Sequence, residues 1–138
     1  WSVTIPELGT VVAATPPVVV LTSNRTRELH DALKRRCLYH WVEHPGLERE
    51  LAIVRARTPE VPEALAAQVV RAVHAMRSDT ELLKPPGVAE TLDWARALHT
   101  LGTRELDTES AARTLGVALK YREDAQRISA ALDRILTP

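Results

Sequence analysis

Pro16-Pro17-Val18-Val19-Val20-Leu21-Thr22-Ser23-Asn24 opens the stretch, residues 16–36, on which the reading of the chain turns. Residues 18–21 are an apolar, mostly β-branched run without alternation, which suits a strand covered on both faces, as in a parallel sheet. Thr22, Ser23 and Asn24 then place three hydrogen-bonding side chains at its carboxyl end. Open α/β sheets bind ligands at the carboxyl ends of their strands, so an amide at position 24 is placed to touch a bound group. The stretch closes on a basic cluster, Lys34-Arg35-Arg36. Each feature also has a plain structural reading. An asparagine after a strand commonly bonds its own turn, and cations at a helix end complement the dipole.

Upstream, Val3, Ile5 and Leu8 with Pro6 and Gly9, followed by residues 10–14, read as a hairpin in which Gly9 supplies a positive φ. Thr15-Pro16-Pro17 stops it and sets an extended entry to Val18. Downstream, residues 25–34 contain helix formers with Leu29 and Leu33 spaced i, i+4, which predicts a short helix. Residues 37–42 alternate loosely and read as a second sheet strand, ended by Pro45-Gly46.

From Pro45 the period turns helical. Leu47, Leu51 and Val54 mark a first helix closed by Pro59 and Pro62. Val61, Leu65, Val69 and Val73 mark a second that runs to about Arg77. Lys84-Pro85-Pro86-Gly87 leads into a third with Val88, Leu92, Ala95 and Leu98 on one side and Gly102 as its stop. Asp107 or Thr108 caps a fourth over residues 109–119, and Ala125, Ile128, Leu132 and Ile135 define a fifth. The expected organisation is therefore an α/β piece, residues 1–44, followed by an all-helical piece, residues 45–138, with helix predominating overall. Two hairpin strands, two sheet strands and one helix leave the sheet faces uncovered, so partners for the first piece are expected upstream. A start at Trp1, directly in a strand-like pattern, fits a piece excised from a longer protein.

The 138 residues carry a formal charge of zero, so contact with nucleic acid or anionic lipid would need a local patch. The single cysteine, Cys37, excludes an internal disulfide and a multi-cysteine zinc site, which fits a reducing cytosol. The apolar runs are too short to span a membrane and no signal-peptide pattern opens the chain, so a cytoplasmic location is expected.

None of the five glycines begins a Gly-x-x-x-x-Gly-Lys-[Ser/Thr] phosphate loop, and no apolar strand ends in Asp-Glu. The chain alone is thus not expected to hold ATP or another cofactor. His40 and His44 stand four apart, but on a strand they lie about four strand rises from each other and have no third ligand, so no metal site is expected. Glu90 and Asp93 share a helix face near its start, where acids complement the dipole, and Trp94 reads as a packing residue.

Three separated segments nevertheless resemble one family. Residues 22–29 (Thr-Ser-Asn-Arg-Thr-Arg-Glu-Leu), 35–39 (Arg-Arg-Cys-Leu-Tyr) and 84–98 (Lys-Pro-Pro through Glu-Thr-Leu-Asp-Trp-Ala-Arg-Ala-Leu) occur in the order found in AAA+ ATPases of the MoxR branch. The resemblance covers essentially the whole chain. It implies the carboxyl-terminal part of a P-loop AAA+ α/β core followed by the helical lid. It makes Asn24 the sensor-1 amide, directed at the γ-phosphate or attacking water, and Arg36 the finger that reaches the ATP of a neighbouring subunit, with Arg35 the adjacent alternative. An arginine supplied in trans can be worth about 10³–10⁵ in rate, and its planar, permanently charged fork suits phosphate oxygens better than lysine.

ATP and Mg2+ would be bound by the full-length parent, which would be a hexameric ring doing chaperone-like remodelling or metal-cofactor insertion, with a von Willebrand A domain protein as a partner. Two positions depart from the broader family. Cys37 stands for a phenylalanine and reads as a small buried apolar residue. Ala89 and Glu90 stand where relatives carry the sensor-2 arginine, which leaves Lys84, or Arg96, to contact nucleotide if geometry allows.

Two readings of other classes compete. A nucleic-acid module would use Arg25, Arg27, Lys34, Arg35 and Arg36, but the neutral total charge and the lack of aromatic stacking residues among them count against it. A purely structural helical interaction module would use the lid alone.

Overall fold

The computed structural model describes residues 1–23 and 30–137. The chain divides into two units, Trp1–Trp41 and Val42–Pro138.

The first unit begins with the expected hairpin. Strands β1 (Ser2–Ile5) and β2 (Gly9–Val12) pair antiparallel with Ile5 opposite Gly9. Gly9 adopts φ +77° at the turn, a conformation that costs a residue with a Cβ but not glycine. Thr4 and Thr10 share a hydroxyl hydrogen bond of 2.9 Å across the ladder, a favourable cross-strand pair.

The two further strands do not form. Residues 18–21 have no strand partner and are exposed, Val18 at 94%. Residues 37–42 are likewise without strand structure, with Leu38 fully exposed. A strand of the buried parallel type exists only by pairing with neighbours. Here β1 and β2 pair only with each other, and neither of these stretches joins an outer edge of that two-stranded sheet. Of the helix predicted over residues 25–34, residues 25–29 lie outside the described residues, and the described part contains α1 (Asp31–Lys34), capped by His30, whose Nδ1 accepts the Ala32 N–H at 3.2 Å. Cys37 is exposed rather than buried, since the neighbours that would cover it are the same missing ones. No described side chain of this unit is buried.

The second unit is all helical: α2 (Leu47–Arg57), α3 (Glu63–Arg77), α4 (Val88–Thr100), α5 (Thr108–Ala118), α6 (Arg122–Ser129) and α7 (Leu132–Leu136). Every buried hydrophobic side chain of the described residues belongs to it. Its centre is α3, which buries Leu65, Ala66, Val69, Val70, Ala72, Val73 and Met76. Trp94 is fully buried, as its pattern predicts, and its Nε1 donates to Thr114 Oγ1 at 2.7 Å. That bond joins α4 to α5 and satisfies the indole N–H, which a buried tryptophan requires.

Helix ends follow the sequence signals. Gly102 takes φ +77° just beyond α4. Of the two cap candidates for α5, Asp107 serves: its Oδ1 accepts Ser110 N–H at 2.7 Å, while Ser110 Oγ accepts Asp107 N–H at 3.2 Å. The expected fifth helix is two, broken at Ala130–Ala131 where the Ala131 N–H turns back to the Ile128 carbonyl at 2.9 Å. The break lets α6 lie on α5 while α7 packs on both α3 and α5. Among the described residues no helix is long and apolar enough to cross a membrane.

Candidate functional site

The most concentrated chemistry in the helical unit is a buried carboxylate. Glu50 sits in the first turn of α2, in phase with Val54, and is fully buried. Its Oε2 accepts from Arg77 Nη1 at 2.5 Å and from His74 Nε2 at 2.9 Å, and its Oε1 accepts from Arg77 Nη2 at 2.9 Å and Thr91 Oγ1 at 2.7 Å. Because a carboxylate only accepts, the His74 Nε2 must carry a proton in this arrangement. Burial by itself raises the Glu50 pKa, but the fork of Arg77, the Thr91 hydroxyl and His74 outweigh it and hold the carboxyl below its ordinary value.

The partners are themselves anchored. Arg77 Nε donates to the Pro86 carbonyl at 2.7 Å, and Thr91 Oγ1 lies 3.0 Å from the Gly87 carbonyl. Glu90 accepts the Gly87 N–H at 3.0 Å, half of a capping box at the start of α4. The segment from Pro86 to Thr91 is thus the joint at which α2, α3 and the start of α4 are fixed to one another. Asp124, 2% exposed, clamps the preceding turn by accepting the N–H groups of Leu83 at 2.8 Å and Lys84 at 3.0 Å.

Among the described residues no buried side-chain nitrogen or oxygen lacks a hydrogen-bond partner. With its acceptor positions filled, the Glu50 carboxylate positions helices and has no lone pair left to take a substrate proton. No three His, Cys, Asp or Glu side chains among the described residues come together as a metal would require.

No described residue singled out by the sequence is bonded to the Glu50 carboxylate. Asn24 falls outside the described residues. Arg35 and Arg36 are both exposed at the carboxyl end of α1, in the first unit. Lys84 belongs to the helical unit, where its side chain is exposed and its backbone is held by Asp124. Arg96, the other lid cation considered, is engaged: Nε lies 3.3 Å from Glu60 and Nη2 donates to the Arg57 carbonyl at 2.8 Å. His40 and His44 are exposed. The open depression between α5 and α6, bordered by Leu115, Gly116, Arg122 and Ser129, is lined by neither Lys84 nor Arg96.

Sequence reading missed the Glu50 centre. Its signal was present as an acid four residues before Val54 on the core side of α2, with His74 and Arg77 three apart on α3, where i and i+3 side chains meet. Amphipathic patterning assigns such charges to the solvent face, so the signal becomes legible only with the partners in place. No protein-family model, no curated protein and no solved structure matches the chain.

Proposed function

We propose that residues 1–138 are the sensor-1, finger and lid portion of a MoxR-type AAA+ ATPase, acting with a phosphate loop and an acidic strand carried outside these residues. The observation that supports this reading is the order of the three segments 22–29, 35–39 and 84–98, with the first two preceding the helical unit and the third forming the α3–α4 joint and most of α4. In this reading Asn24 orients the attacking water, Arg36 reaches the neighbouring subunit's ATP and Lys84 contacts nucleotide from the lid. Mg2+ and ATP bind in the assembled protein, and the ring turns hydrolysis into remodelling of a client or insertion of a metal cofactor. A hexameric ring and a von Willebrand A partner come with the resemblance.

The test is steady-state ATP hydrolysis by the full-length assembled protein. Arg36→Ala is expected to lower the rate by about 10³-fold or more, and Asn24→Ala to lower it at unchanged ring size. Arg35→Ala fixes the register, since only one of the two arginines should show the large loss. A wild-type rate in both Asn24→Ala and Arg36→Ala rings rules the reading out.

A further inference from the structure

Helix α2 is held in an unusual way for its length. Of its eleven residues one apolar side chain, Val54, is buried, with Leu51 and Ile53 partly covered, and the other buried residue is Glu50. An isolated helix of this length is marginal in water, so α2 persists because it is docked. Its carboxyl end is tied by Arg96 to the Arg57 carbonyl and by the ion pairs Arg55–Glu63 and Arg96–Glu60, whose side chains are exposed. Exposed pairs contribute little. What fixes its first half is the Glu50 network.

Of the three groups that Glu50 would leave behind, two have a second acceptor at hand and the third, the His74 ring, is a quarter exposed to water. Arg77 retains the Pro86 carbonyl, and Thr91 retains the Gly87 carbonyl. Facing Glu50 from α3 are the Arg77 guanidinium and the His74 imidazole, while from α4 it meets the neutral Thr91 and the Glu90 carboxylate is committed to the Gly87 N–H. Meanwhile α3, α4, α5 and α7 pack on one another without α2. We infer that α2 is a detachable helix, which undocks and unravels while the remainder of the bundle stays folded, and that Glu50 is the latch that sets how often it does so.

Sub-global openings of this kind are read by native-state hydrogen exchange, because each amide reports the cheapest opening that frees it. The experiment compares the whole chain as wild type, Glu50→Gln and Leu132→Ala at neutral pH. In the wild type, α2 amides should be protected at least about tenfold less than those of the buried stretch of α3. Glu50→Gln, which keeps the shape and loses the charge, should lower α2 protection by a further factor on the order of ten and that of α3 by less. Leu132→Ala, on α7, should lower α3 protection and leave α2 unchanged, since α7 stays packed when α2 opens. Equal protection of α2 and α3 in the wild type, or a parallel fall of both in Leu132→Ala, overturns the inference. Should Glu50→Gln fail to fold, wild type against Leu132→Ala still decides it.

Discussion

The most consequential side chain in the helical unit is an acid that carries no catalytic signature. Glu50 and Arg77 form a buried, two-pronged ion pair, with Arg77 9% exposed and Glu50 fully buried. The net worth of such a pair against an apolar replacement is small, but removing one partner strands the other. Glu50→Ala is therefore expected to cost about 3–5 kcal/mol in urea unfolding, more than truncating an apolar side chain of α2 such as Leu51. The same residue illustrates what sequence reading can and cannot reach. Trp94 was legible as packing because an indole on an apolar stripe has one economical place to go. Glu50 was not, because a glutamate one turn from a valine is equally consistent with water.

At the scale of elements, helix boundaries were legible where a single residue type has a unique backbone role. Gly102 is the clearest case, at φ +77° with no atom within 4 Å of where a Cβ would stand. With no steric obstacle, the cost of Gly102→Ala is conformational alone, about 1–2 kcal/mol, measurable as a lowered urea midpoint with an unchanged slope. The cap of α5 was legible to within two residues for the same reason, since Asp107 and Thr108 each carry an oxygen able to accept an orphan N–H, and the structure uses Asp107. The split of the last predicted helix into α6 and α7 was not, since Ala125, Ile128, Leu132 and Ile135 keep helical spacing through the break. Only the need for α7 to meet α3 as well as α5 bends the chain at Ala130 and Ala131. The buried strands predicted at residues 18–21 and 37–42 failed for a complementary reason. Their side chains suit a covered sheet, but a strand is a property of at least two segments.

At the scale of the whole molecule, all buried hydrophobic side chains among the described residues lie between Val54 and Leu132. Residues 42–138 expressed alone are thus expected to keep the helical circular dichroism and cooperative unfolding of the full chain, with the same urea midpoint. A non-cooperative transition would show that this core is incomplete. Acid should act through three carboxyls held below their ordinary values. Glu50 is opposed by burial and lowered mainly by Arg77, Asp79 is lowered by Arg127, and Asp107 by its bonds to Ser110. Each binds a proton more readily when unfolded, so its stabilisation is complete above the unfolded values, 4.5 for Glu and 3.8 for Asp, and is lost as pH falls through the lower folded ones. The thermal midpoint should accordingly drop more steeply below about pH 4.5, and less so in Glu50→Gln.

The sequence by itself determined the hairpin, the five helical stretches, a cap for the fourth at Asp107 or Thr108, the stop at Gly102, and the order of the three segments on which the proposed motor role rests. These are local matters of φ, hydrogen-bonding side chains and periodicity. The tertiary structure alone decided that residues 18–21 stay unpaired, that the last helix breaks, and that Glu50, His74, Arg77 and Thr91 meet. Those outcomes depend on which distant groups arrive at the same place, and a linear pattern does not carry that.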